Sequence, residues 1–365
     1  MAFSIFTCTF SISFFSYKVA FENDFPEKKR FFIALFIIFL ISISPGYYIW
    51  NIFTLMDLNI WVAIQLILLG LLTSSNISYK TTISFIFLLC LTRSESLLLA
   101  PLYVILFSLR FRNFNFLKNL FLVFTFHAVI ILTRITYFGY PFPNTYYAKV
   151  GPNKLENIAS GWQYFKFFFS YNFWEFQMLF LLILFIVAIT MIRELKSNDY
   201  KTLKIFREQS SIIYFYISLV STIYFIYIYV GGDHFKFFRQ YQVTYPLLIV
   251  ILLLFYTKHK SKILFIIPSI LITTFIFVSI KTIKNVPQVL KNEFEVVYDG
   301  RLVGNWLNKI KKDFFNDNNL KIALISVGGI SRTYRGHIID LAGLNDIEFA
   351  HNSNDRTGIK KPFCF

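Results

Sequence analysis

Apolar residues run along the chain in ten long stretches, at approximately 1–17, 31–44, 59–73, 82–92, 96–109, 117–134, 176–192, 211–230, 243–256 and 263–280. Several are shorter than the ~20 residues a perpendicular span needs, which predicts thinned or broken helices around a cavity. The stretches 82–92 and 96–109 meet at Thr92-Arg93-Ser94-Glu95 and read either as two spans or as one kinked helix.

Beyond residue 280 the pattern changes. Leu320 to Val327 reads as a buried strand closed by Gly328-Gly329, and Arg301 to Phe315 reads as an amphipathic helix with Leu302, Trp306, Leu307 and Ile310 on one face. The predicted fold is therefore mainly α. A polytopic transmembrane helix bundle of about ten spans occupies residues 1–280, and a small α/β domain occupies residues 281–365.

Composition agrees with a membrane class. Hydrophobic residues make up 56% of the chain, charged residues 15%, and mean hydropathy is +0.57, whereas soluble domains carry about 25% charged residues. The formal charge of +16 resolves into a topology. Alternate loops hold Lys18, Lys28, Lys29 and Arg30; Lys80; Arg110, Arg112 and Lys118; Arg193 to Arg207; and Lys258 to Lys262, sixteen basic residues against seven in the opposite set. By the positive-inside rule the first set is cytoplasmic, so that loops 45–58, 134–175 and 231–242 and the C-terminal domain face outward. No cationic face for nucleic acid appears, and the expected non-protein partner is membrane lipid. The three cysteines have neither metal-site nor disulfide spacing, and no metal or cofactor is predicted.

Two outer segments carry chemistry. Gly231-Gly232-Asp233-His234-Phe235-Lys236-Phe237-Phe238-Arg239-Gln240 gathers an acid, an imidazole and two cations between two apolar helices. Ionisable groups at a membrane boundary are costly unless they are paired or face a wet cavity, which makes Asp233, His234, Lys236 and Arg239 site candidates. The competing readings are a helix cap for Asp233 and snorkelling anchors for the cations. The second segment, Tyr137 to Lys149, offers the amide, rings and cation of Asn144, Tyr146, Tyr147 and Lys149 to a polar ligand, or else supplies an interfacial aromatic belt. Arg93 and Glu95 read as a site pair or as a self-satisfied ion pair within the bundle. In the stretch that holds Asp340, Asn345, Asp346 and His351, Asn345-Asp346 reads as a turn.

The segments Tyr137 to Lys149, Val230 to Pro246 and Ile338 to Asn352 stand in the order seen in the membrane-embedded GT-C-type glycosyltransferases that use polyprenyl-phosphate sugars. The chain resembles most the branch containing the terminal arabinofuranosyltransferases of mycobacterial cell walls. Leu91 to Leu99 is similar to that branch's Arg-Pro-Glu-Gly helix junction, with Ser94 and Ser96 in place of proline and glycine, and the resemblance covers about 82–355. It implies transfer of a sugar from a polyprenyl-phosphate donor to a cell-envelope glycan or lipid acceptor on the outer face of a bacterial inner membrane. It also implies a carboxylate base, for which Asp233 is the candidate, with His234, Lys236 and Arg239 on the phosphate side. The family usually opens with a helix and an outer loop carrying adjacent aspartates, and no Asp-Asp pair occurs here. That absence, with an expected outside start at Met1, reads as an N-terminal truncation. The alternatives are a non-catalytic fragment or scaffold of such an enzyme and a transporter for lipid-linked sugars.

Overall fold

The computed structural model describes residues 2–23, 25–43, 45–53, 57–112, 114–150, 153–170, 212–233, 238–258, 273, 276–277, 280–281, 283–315, 320–325 and 327–351. Within them the protein is mainly helical. The helices are α1 (Ala2–Glu22), α2 (Glu27–Ser42), α3 (Pro45–Tyr48, running into a π-turn at Ile49–Phe53), α4 (Leu58–Thr73), α5 (Tyr79–Thr92), α6 (Ser96–Arg110), α7 (Phe116–Phe138), α8 (Asn144–Lys149), α9 (Lys154–Ser170), α10 (Ile212–Tyr229), α11 (Thr244–Lys258), α12 (Val286–Ile310) and α13 (Ile347–His351). Eight of the predicted apolar stretches fall on α1, α2, α4, α5, α6, α7, α10 and α11. The stretch 176–192 and most of 263–280 lie outside the described residues.

Among the described residues three helices, α1, α7 and α10, are long and apolar enough to cross a membrane. Local chemistry sets several ends. Ser78 and Asn115 cap α5 and α7 by accepting the Thr81 and Lys118 amides at 3.4 and 3.0 Å. Gly139 closes α7 in the left-handed region, its amide donating to the Ile135 carbonyl at 2.9 Å.

Pair contacts fix the direction of each helix. Asn59 Nδ2 donates to the Ser4 carbonyl near the start of α1, and the Ser75 amide just past α4 reaches Glu22 at the end of α1, so α1 and α4 run parallel. Tyr79 donates to Asn119 at 2.6 Å and Phe87 packs on Phe126, so α5 runs parallel to α7. Phe107 packs on Phe114 and Ser96 Oγ meets His127 Nε2 at 3.4 Å, so α6 runs antiparallel to α7. The segment 82–109 is thus a hairpin that turns at Arg93-Ser94-Glu95, and not one kinked helix. Tyr216 in α10 bonds Thr73 at the end of α4, while Tyr227, three turns later, reaches Glu95. One end of the bundle accordingly collects residues 45–53, 57, 93–95, 231–233 and 238–241. Its core is one continuous buried cluster spanning α1 to α11.

Two expectations change. The predicted outer loop 134–175 contains the 17-residue helix α9, whose start is capped by the Asn153 side chain. Asn153 Oδ1 accepts the Leu155 amide at 3.1 Å, while Asn153 Nδ2 donates to Glu156 Oε1 at 2.8 Å. The tail helix predicted at Arg301 instead starts at Val286, and its expected apolar face is not the one it buries: Leu302 and Trp306 are exposed. Val286 and Leu290 pack against the bundle core, and the turns that follow pack on the tail through Gly300, Gly304 and Asn308. Strands β1 (Lys321–Leu324) and β2 (His337–Asp340) pair in parallel, with Lys321 opposite His337 and Leu324 opposite Asp340.

Candidate functional site

The loop end of the bundle holds two ionic groups inside an aromatic wall. In the first, the Arg93 guanidinium bridges two carboxylates, donating from Nη1 to Asp57 Oδ2 at 3.0 Å and from Nη2 to Glu95 Oε1 at 2.9 Å, and it lies over the Trp61 ring at 5.8 Å. The Tyr227 hydroxyl donates to the same Glu95 oxygen at 3.2 Å. Burial alone would raise the Glu95 carboxyl, but the Arg93 charge and these hydrogen bonds outweigh it and hold the group below the usual carboxylate range.

In the second group Arg239 Nε donates to Asp233 Oδ2 at 2.5 Å, and the guanidinium lies over the Trp50 ring at 5.8 Å. Trp50 belongs to the π-turn ahead of Asp57, so Trp50 touches the second group and Asp57 the first. Tyr241, in the short 3₁₀ turn at Arg239–Tyr241, stacks edge-on against Tyr227 at 5.9 Å and so joins the two groups from the other side.

Backbone shape brings Asp233 here. Gly231 and Gly232 both have positive φ, and the Gly232 amide donates to the Tyr227 carbonyl at 2.8 Å, folding the chain back over the end of α10. A Cβ on Gly232 would stand 2.5 Å from Tyr164 Cβ, and one on Gly161 would stand 2.1 Å from the Ile228 carbonyl oxygen. These two glycines let α9 lie directly on the end of α10. Tyr164 then faces Tyr241 at 5.3 Å. Burial, with the Asp233 charge next, pushes the Tyr164 phenol well above its ordinary range, so it stays a hydrogen-bond donor. The hydroxyls of Tyr164 and Tyr241 and Gln240 Oε1 are buried and have no hydrogen-bond partner among the described residues, and they flank Asp233 and Arg239 in sequence or space.

Of the residues singled out from sequence, Arg93, Glu95, Asp233 and Arg239 come together at this end. Asn144, Tyr146 and Tyr147 lie in a second cluster on α8. There Tyr140 stacks on His351 at 3.6 Å, Tyr147 packs on His351 at 4.1 Å, and Phe142 packs on Tyr146 at 4.7 Å, so the tail helix α13 is clasped to the outer segment. The backbone of Lys149 closes α8, while His234 and Lys236 lie outside the described residues. Asp340 and Asp346 are turn residues. Asp340 accepts the Ala342 and Asn345 amides at 3.0 and 2.9 Å and Asn345 Nδ2 at 3.1 Å, and Asp346 accepts the Phe349 amide at 3.2 Å to cap α13.

Sequence reasoning missed Asp57. Its side chain is 60% exposed, whereas those of Glu95 and Asp233 are 12% and 1% exposed, so of the three carboxylates at this end it alone opens widely to solvent. A lone acid beside Leu58 at the start of an apolar helix reads as an ordinary helix-start residue. No motif distinguishes it. No family model, curated protein or solved structure matches this chain.

Proposed function

We propose that the chain is a multi-pass membrane glycosyltransferase of the GT-C kind, with a bundle of about ten spans over residues 1–280 and an outer domain over 281–365. It transfers a sugar from a polyprenyl-phosphate donor to a glycan or lipid acceptor at the loop end of the bundle, on the extracytoplasmic side of a bacterial inner membrane. The observation that carries the reading is the arrangement of Asp57, an exposed carboxylate held by Arg93, within the same aromatic wall as the Arg239 guanidinium.

In this reading Asp57, rather than the enclosed Asp233, takes the proton of the acceptor hydroxyl. The acceptor oxygen attacks the anomeric carbon, the bond from that carbon to the phosphate oxygen breaks, and the polyprenyl phosphate leaves as an anion. Arg239 stabilises the departing charge from a fixed position, because Asp233 and Trp50 already hold its guanidinium. Asp233 is then a positioning residue. Asn144, Tyr146, Tyr147 and Lys149 are assigned to the acceptor, and His234 and Lys236, outside the described residues, to the phosphate.

One observation favours a second reading, a non-catalytic scaffold: Arg93 with Glu95 and Arg239 with Asp233 neutralise each other inside the bundle, as structural ion pairs do. Transfer of radiolabelled sugar from a panel of polyprenyl-phosphate donors in membranes containing the chain separates the two. Transfer that Asp57→Asn abolishes supports the enzyme, and no transfer from any donor supports the scaffold.

A further inference from the structure

We infer that α12 lies on the bilayer surface and presents an apolar stripe to lipid. Phe294, Tyr298, Leu302 and Trp306 follow one another at four-residue spacing, and each is more than half exposed. Four residues advance an α-helix by slightly more than one turn, so these side chains form one gently winding row about 18 Å long. A contiguous exposed row of this kind marks a contact surface.

From Gly300 onward the opposite face of the helix is occupied. Gly300 and Gly304 touch the Gly329–Tyr334 segment, Asn308 Nδ2 donates to the Thr333 carbonyl at 2.8 Å, and Lys311 Nζ donates to the Arg335 carbonyl at 3.1 Å. The stripe is therefore the face that the tail leaves uncovered.

Three observations commit the stripe to lipid rather than to a second protein. Both ends of the tail are fastened to the bundle: Val286 and Leu290 pack on its core, and His351 stacks on Tyr140, two residues beyond α7. The last turns of α7 are themselves exposed and apolar at Leu132, Ile135, Tyr137 and Phe138, so the second fastening lies where a lipid-facing helix ends. The stripe is aromatic at three of its four positions, and on the same helical face Lys291, paired with Glu295 at 3.4 Å, and Lys309 lie beyond its two ends. Tyr and Trp favour the headgroup level, and flanking lysines reach lipid phosphates. The tail is thereby held flat above the loop end of the bundle.

This inference rests on the reading of the chain as a membrane protein, and its test keeps the two apart. The full chain, with its three native cysteines replaced by alanine, is labelled with an environment-sensitive fluorophore at Leu302→Cys, at Leu132→Cys on α7, or at Ser331→Cys on the far side of the tail. Each is placed in nanodiscs of phosphatidylcholine, with or without phosphatidylglycerol, containing brominated acyl chains. The expected result is blue-shifted, bromine-quenched emission at positions 302 and 132 and water-like emission at 331. Quenching at 132 but not at 302 overturns the lipid contact alone. Loss of quenching at both positions overturns the membrane reading and the lipid contact with it. Self-quenching between labels at 302 without bromine quenching assigns the stripe to a second copy of the chain and also overturns the proposal.

Discussion

Tyr227 donates a hydrogen bond to Glu95 across a separation of 132 residues in sequence, tying the end of α10 to the turn of the α5–α6 hairpin. Because Tyr227 also packs on Tyr241, the same side chain connects the Arg93 bridge with the Arg239 pair. Changes in either ionic group are therefore felt at the other.

Breaking the Arg93 bridge costs stability. Arg93→Ala leaves Glu95 enclosed without its cation and is expected to destabilise the bundle by about 3 kcal/mol or more. Joint replacement of Arg93 and Glu95 by methionine should recover most of that loss, since an apolar pair needs no counter-charge. Thermal unfolding in detergent of the two single variants and the double variant measures the difference.

Glu95 also sets an acid limit. Its folded carboxyl sits below the ordinary value of 4.5, so the folded state binds its proton less readily than the unfolded chain does. The resulting stabilisation is fully present above about pH 4.5 and disappears as pH falls through the lowered folded value. Melting temperature followed from about pH 7 down to about pH 3 should drop more steeply in the native protein than in Glu95→Gln.

The glycines at the junction of α9 and α10 are not interchangeable. Gly161→Ala and Gly232→Ala drive a methyl into the Ile228 carbonyl and the Tyr164 side chain respectively, at an expected cost of about 1–3 kcal/mol each. Gly139→Ala shares the positive φ of Gly232 but has open space around it, so its cost should be nearer 1 kcal/mol. Equal losses at all three positions would show that α9 does not pack on α10 as described.

Catalysis separates Asp57 from Asp233. Asp57→Asn removes an exposed carboxylate that contributes about 0–1 kcal/mol to folding, yet it should lower sugar transfer by about 100-fold or more. Asp233→Asn and Arg239→Ala should each lower transfer while the bundle stays folded. Unchanged turnover in Asp57→Asn alongside loss in Asp233→Asn would return the role of base to Asp233.

The clasp between tail and bundle is aromatic. His351→Ala removes both stacking contacts with Tyr140 and Tyr147 and should raise hydrogen exchange in α13 and α8 without altering exchange in α4 or α10. Exchange measured by mass spectrometry on the intact chain reads this directly.

Apolar run length was enough to locate α4, α6 and α10 to within a residue or two, because long hydrophobic segments satisfy their backbone groups only by becoming helical in a low-dielectric setting. The Asn153 cap is equally present in the sequence, but the helix it begins is too polar to stand out by hydropathy. Glu95 and Arg93 were legible as an unusual pair of charges, and Asp233 and Arg239 as another. Nothing local stated that Tyr227 would bind Glu95, that Trp50 would cover Arg239, or that Asp57 would complete the Arg93 bridge, since those contacts depend on which helix ends meet. The same limit explains the tail helix. Hydrophobic spacing marks Leu302 and Trp306 as one face, but only the packing of Gly300 and Gly304 against the Gly329–Tyr334 segment decided that this face stays uncovered. Periodicity fixes which residues share a side of a helix, and tertiary packing fixes what that side meets.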